Sequence, residues 1–181
     1  GKIVMTYTGT FADRNLVATL TLENYAANDN VFNGAKQIVY SRTSDGDDRY
    51  AVTVDNATGQ FQNGTVTWSA QRIWLRTEGQ ETSSIWDDRY EYTGSTNGTT
   101  ANGYTFNCGV TPGKPLVRDY SKCGSSALRV NRGRMISGQW TITFPDNGVT
   151  AGIDFDPIGG EPCDRVAEIQ YNGDTRRITL W

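Results

Sequence analysis

The chain contains no histidine, and that absence limits the chemistry left to it. Ser-His-Asp and Cys-His nucleophilic sites, imidazole-ligated zinc and imidazole acid–base catalysis are all excluded. Carboxylates, tyrosines, arginines and flat aromatic rings remain. Their densest cluster is Trp86, Asp88, Tyr90 and Tyr92, alternating with Asp87, Arg89 and Glu91. Period-two spacing puts the first four on one face of an extended strand. Trp74 falls on the facing strand of the same expected hairpin. Rings flanked by a carboxylate can stack on sugars and bind their hydroxyls. Trp74, Trp86, Asp88, Tyr90 and Tyr92 are therefore the candidate ligand-binding set, although cross-strand aromatic ladders more often serve only to stabilise a sheet.

The acidic residues form three further groups. Asp154 and Asp156, followed by Glu161 and Asp164, offer hard oxygen donors, so Ca²⁺ is the candidate metal. Their spacing is not that of an EF-hand loop, and strand carboxylates are usually solvated, so the expectation is no cofactor. Asp45, Asp47 and Asp48 around Gly46 read as an acidic turn. Glu78, Glu81, Asp87 and Asp88 invite comparison with a glycosidase, whose two carboxyls stand about 5–10 Å apart across a cleft. No residue marks such a cleft, and the expectation is a non-enzyme with no catalytic residues. Asn56, Asn63 and Asn97 each begin an Asn-x-Thr sequon and read as the Asn/Gly turns that hairpins need.

Three cysteines, Cys108, Cys123 and Cys163, occur without a CxxC pair, which argues against a metal cluster and for an oxidising compartment. Cys123 and Cys163 both lie in Gly-rich polar stretches, so Cys123–Cys163 is the expected disulfide, with Cys108–Cys123 the second pairing and three reduced thiols the third reading. Cys108 continues the inward face of Tyr104 and Phe106. A net charge of −3 with no basic run removes the electrostatic footprint of a nucleic-acid binder. No apolar stretch approaches the roughly 20 residues of a transmembrane helix.

The elements that must carry these residues are strands. Ile3, Met5 and Tyr7 alternate with polar neighbours, as do Leu16, Ala18, Leu20 and Leu22, then Trp140, Ile142 and Phe144, then Val149, Ala151, Ile153 and Phe155. No segment has a helical period. About a dozen strands follow: 2–10, 15–24, 35–42, 49–54, 65–77, 84–93, 103–108, 127–132, 137–144, 149–155, 166–171 and 176–181. In 65–77 the apolar parity passes from Val66 and Trp68 to Ile73 and Leu75, which predicts a β-bulge near Ala70-Gln71. Pro145-Asp146-Asn147-Gly148 and Asn172-Gly173 are strong hairpin signals. Short, even connections predict one all-β domain over 1–181, an antiparallel sandwich or a wide curled sheet.

The segments GKIVMTYTG, LENYAANDN, SIWDDRYEYTGS, PLVRDYSKC, SGQWTITF and IDFDPIGGEPCDRVAEIQYNGDTRRITL occur in that order. Together they resemble a family of uncharacterised exported, lipoprotein-like all-β proteins of Bacteroides-related Gram-negative bacteria. The family pattern has Asp-Phe-Gly or Asp-Tyr-Gly where this chain has Asp154-Phe155-Asp156. It also has a further strand and a basic stretch upstream. The resemblance implies export, a mature form without its signal peptide, and an extracellular or cell-surface location. It implies no particular activity.

A sheet missing an upstream strand would expose a row of N–H and C=O groups that recruits other strands. The expected function is accordingly a non-enzymatic surface structural or adhesive β-domain, a fibre subunit self-associating by strand pairing. Ile3, Met5 and Tyr7, with Ile178 and Leu180, mark the assembly strands. The alternative is a cell-envelope module binding a glycan or Ca²⁺.

Overall fold

A computed structural model describes residues 1–121, 135–159 and 165–180. The first five strands are long: β1 (Lys2–Thr8), β2 (Val17–Ala27), β3 (Asn30–Arg42), β4 (Asp48–Phe61) and β5 (Gly64–Glu78). A 3₁₀ turn over Ile85–Asp87 leads into β6 (Arg89–Thr99). The shorter strands β7 (Thr105–Val110), β8 (Leu116–Asp119), β9 (Met135–Ser137), β10 (Gln139–Phe144), β11 (Val149–Asp154), β12 (Val166–Tyr171) and β13 (Asp174–Thr179) follow. All 13 belong to one antiparallel sheet, in the order β1 to β7, then β10 to β13, with β8 on β6 and β9 on β8. The wide curled sheet is the architecture formed, and it does not close into a barrel.

Register makes the sheet two-faced. Met5, Leu20, Lys36, Val54, Ala70, Thr96, Cys108, Ile142 and Ala151 occupy successive paired positions across it. One step along, Thr19, Gln37, Thr53, Gln71 and Ser95 line the other face. Three hollows lie on the first face, and another, lined by Ser69, Asn97 and Asn107 among others, lies on the second. Its deeply buried apolar side chains include Tyr40, Val52, Ala57, Ala70 and Ala167, while Val117 and Ile136 pack together where β8 meets β9.

Several boundaries differ from the sequence reading for local reasons. No bulge lies at Ala70-Gln71: the β4–β5 register slips between Val54 and Ala57 on β4, so Asp55 and Asn56 together face Ser69, and the slip that β5 itself carries comes later, at Thr77 against β6. Asn56 takes a left-handed φ of 45°, a conformation Asn tolerates well, and its N–H donates to Ser69 Oγ at 3.0 Å. Trp68, Ala70, Arg72 and Trp74 therefore keep one face with no parity switch. Asn97 lies within β6 rather than in a turn, and residues 127–132 fall outside the described set.

The β2–β3–β4 junction depends on Gly34, whose φ of +135° is open only to glycine in practice, and whose missing Cβ would stand 2.7 Å from Ala57 Cβ. Gly34→Ala should therefore cost about 1–3 kcal/mol, read as a lower urea midpoint with an unchanged slope. A midpoint within error of wild type would show that the junction relaxes freely.

Candidate functional site

At one end of the concave face, β3, β4, β5 and the turn before β6 bring four charged side chains, Arg42, Asp48, Arg76 and Asp88, into a largely buried cluster. Asp48 opens β4 opposite Arg76 of β5, and Arg76 stands opposite Tyr90 of β6. Arg76 Nε donates to Asp88 Oδ1 at 2.9 Å, and its Nη1 lies 3.7 Å from Asp48 Oδ2. Arg42 Nε donates to Asp48 Oδ1 at 3.2 Å, and the Tyr40 hydroxyl donates to the same oxygen at 2.8 Å. The Tyr90 hydroxyl donates to Asp88 Oδ2 at 2.9 Å. Asp48 and Asp88 are 5% and 2% exposed, so these contacts are what makes their burial tolerable. Arg76 also donates to the Gly79 carbonyl and its own carbonyl accepts from Gln80, which fixes the loop leading to the 3₁₀ turn.

Beside this cluster lies a hollow of about 320 Å³ lined by Tyr50, Trp74, Ile85, Asp88, Tyr90, Tyr92 and Tyr120. Trp74 meets Tyr92 edge-on at 6.1 Å, Tyr92 stacks on Tyr90 at 6.2 Å, and Tyr120 meets Tyr90 edge-on at 6.4 Å. The Arg118 guanidinium sits 5.8 Å from the Tyr92 ring centroid and donates toward the Tyr120 hydroxyl at 3.4 Å. Burial, reinforced by the hydrogen bond to Asp88, pushes the Tyr90 phenol far above its ordinary value. Burial likewise raises Tyr50 and Tyr40, each with help from Asp48, and raises Tyr92 against the opposing charge of Arg118.

Four of the five aromatic-set residues, Trp74, Asp88, Tyr90 and Tyr92, thus line one hollow. Trp86 does not share their strand face: the strand begins only at Arg89, and Trp86 sits in the 3₁₀ turn, where its backbone N–H donates to Ser84 Oγ at 3.1 Å. Its ring packs edge-on against Tyr120 at 6.3 Å. The sequence reading missed Tyr50 and Tyr120, which come from elements distant in the chain, and Asp48, taken there for a turn residue.

The other sites are less converged. Asp154 and Asp156 use their side chains locally: Asp154 accepts from Gln139 and from the Asp156 N–H, and Asp156 accepts from the Gly159 N–H. Glu161 and Asp164 lie outside the described residues, as do Cys123 and Cys163 with the expected disulfide. Cys108 is a free thiol, so the Cys108–Cys123 pairing is not formed. Burial raises the Cys108 pKa. Ile3, Met5 and Tyr7 lie on β1 and Ile178 on β13, with Leu180 just beyond it; among the described residues each of these strands pairs on one side only.

Compared with family models, curated proteins and solved structures, the chain matches none. The site is therefore read from its own geometry.

Two outcomes follow from that geometry. Asp88→Ala strips Arg76 of its nearest carboxylate in a dry setting and should cost about 3–5 kcal/mol, measured by urea unfolding; a loss under 1 kcal/mol would mean that water reaches the guanidinium. Tyrosines whose native pKa is raised hold their protons more tightly folded than unfolded. Their contribution is complete below the ordinary value of 10.0 and is lost as pH rises through the higher native values. Stability should accordingly fall above about pH 10, with tyrosinate absorbance rising alongside unfolding. Tyrosinate forming fully before unfolding would contradict the burial of these rings.

Proposed function

We propose that this domain is a non-catalytic binding module of the cell envelope whose ligand is a carbohydrate seated in the aromatic hollow. The observation that carries the reading is the convergence of Tyr50, Trp74, Tyr90, Tyr92 and Tyr120 around one concavity of about 320 Å³. Its size falls near the lower end of small-ligand pockets, which are mostly apolar with a few placed polar groups. Aromatic faces suit the C–H faces of a pyranose, and phenol hydroxyls supply directional polar contacts. Binding is favoured over hydrolysis because Asp88, the carboxylate of the hollow, is already committed to Arg76 and Tyr90.

A panel of oligosaccharides screened by thermal shift, then titrated calorimetrically, tests the reading. Tyr120→Ala should weaken a bound glycan by about 0.5–1.5 kcal/mol, roughly two- to tenfold in Kd, with little loss of melting temperature. No stabilisation by any glycan in a broad panel would remove the proposal.

A second reading, self-association by strand addition, is favoured by β1. Ile3, Met5 and Tyr7 are 51%, 65% and 71% exposed, although exposed edges are normally guarded. Beside them lies an almost wholly apolar hollow of about 640 Å³ lined by Met5, Tyr7, Phe11, Leu16, Ala18 and Ile38 among others. An added strand from a second copy would pair with β1 and drop its side chains into that hollow, placing the domain in a surface fibre or adhesive assembly. Light scattering coupled to size exclusion should then show concentration-dependent oligomers that Met5→Lys returns to monomer. A wild-type protein monomeric at millimolar concentration would exclude the second reading and leave the first untouched.

A further inference from the structure

The hollow assigned to the carbohydrate has a larger neighbour. A hollow of about 640 Å³ shares two of its walls, Tyr50 and Trp74, and adds the rings of Tyr7, Phe11 and Tyr40. Register sets the rings that join them. Tyr40 of β3 is opposite Tyr50 of β4, Tyr50 is opposite Trp74 of β5, and Trp74 is opposite Tyr92 of β6. Four successive strands therefore each place one aromatic residue in a single cross-strand row. Paired strands stand about 4.8 Å apart, so the row runs about 14 Å across the sheet. Two residues along, the parallel row is Arg42, Asp48, Arg76 and Tyr90, whose charges are paired among themselves and with Asp88.

A residue outside the strands extends the aromatic row. Phe11 lies in the turn between β1 and β2, which is closed by the Arg14 N–H donating to the Phe11 carbonyl at 3.1 Å and the Asn15 N–H donating to the Thr10 carbonyl at 3.3 Å. Its ring lies 5.2 Å from that of Tyr40, which lies 5.1 Å from that of Tyr50. Tyr40 is buried, whereas Phe11 is 60% exposed, so at this end the ring open to a ligand is that of Phe11. An exposed phenylalanine forgoes the stabilisation of burial, and a ligand face laid on it restores that term. Along the row, the phenols of Tyr40, Tyr90 and Tyr120 are hydrogen-bonded. Those of Tyr50 and Tyr92 have no hydrogen-bond partner among the described residues.

We infer that the carbohydrate is a neutral, unbranched oligosaccharide lying across the strands from Tyr120 to Phe11, with one sugar in the smaller hollow and further sugars over Tyr50 and Phe11. Rings in series suit the C–H faces of successive pyranoses, and the free phenols suit their hydroxyls. A compact ligand would leave part of the row uncovered. A charged one would find the neighbouring ions already paired. The inference rests on the carbohydrate reading, and it gives the larger hollow to the glycan instead of to a strand from a second copy.

The test titrates the whole chain calorimetrically with cello-, manno- and xylo-oligosaccharides, each as disaccharide and as hexasaccharide. In a series that binds, the hexasaccharide should bind about tenfold or more tightly than the disaccharide, beyond the gain that extra binding frames give alone. Phe11→Ala should remove that excess and leave the disaccharide affinity within error of wild type, while Phe11→Trp retains it. A hexagalacturonate should bind about tenfold or more weakly than the neutral hexasaccharide. Equal affinity of the two lengths, a length gain that survives Phe11→Ala, or equal binding of the hexagalacturonate would each overturn the inference and leave a sugar in the smaller hollow standing. No binding in any of the three series would overturn it too, and the broader glycan panel then decides the reading beneath it separately. Should Phe11→Ala not fold, the length comparison on wild-type protein decides alone.

Discussion

A sheet with one apolar face must cover it, and most domains do so with a second layer of helices or strands. No α-helix is present among the described residues, so the sheet must cover itself by curling. The cover is partial. The accessible surface is 11110 Å², against about 8,700 Å² expected of a compact monomer of this mass. Leu20, Leu22 and Val54 are only half-buried, at the centre of long strands where side chains are usually hidden. The shortfall leaves hollows with mostly apolar walls open along that face.

The polar residues are distributed along that face in two different ways. At one end, Arg42, Asp48, Arg76 and Asp88 neutralise one another and tie β4, β5 and the turn before β6 together. Charges so committed shape a site without attracting a charged ligand. They orient Tyr90 through its hydroxyl and fix the rings beside it. In the middle, Lys36 and Arg72 form no ion pair among the described residues, and Arg72 donates instead to Thr96 Oγ1. Trp74 stands between the two regimes, edge-on to Tyr92 on one side and beneath the Lys36 ammonium on the other.

The strand content was legible because period-two alternation is a local property. Asn172-Gly173 turns β12 into β13 with φ values of 48° and 93°, and Phe144 pairs with Val149 around the Asn147-Gly148 turn as the dipeptide suggests. Less legible was anything requiring a partner strand. The bulge belongs to Asp55-Asn56 because a register slip is relative, and either strand can carry the extra residue. Asp48 looked like one more turn acid, since its partner Arg76 lies on the neighbouring strand, far along the chain. The same distance hid Tyr50 and Tyr120 from the aromatic set. Trp86 was misplaced because the alternation happens to continue through a 3₁₀ turn that a strand pattern cannot distinguish.

Lys36 and Arg72 show the limit of pattern reading most clearly. A lysine or arginine interrupting an apolar alternation is ordinarily taken for a snorkelling surface residue, its stem on apolar neighbours and its head in water. Arg72 fits it, being exposed, but Lys36 does not, since its ammonium lies 5.3 Å from the ring centroid of Trp74, two strands away. What sets Lys36 apart is therefore a ring supplied by another strand. Nothing in the alternation of β3 around Lys36 shows that ring, because it belongs to β5 and reaches Lys36 only through the fold.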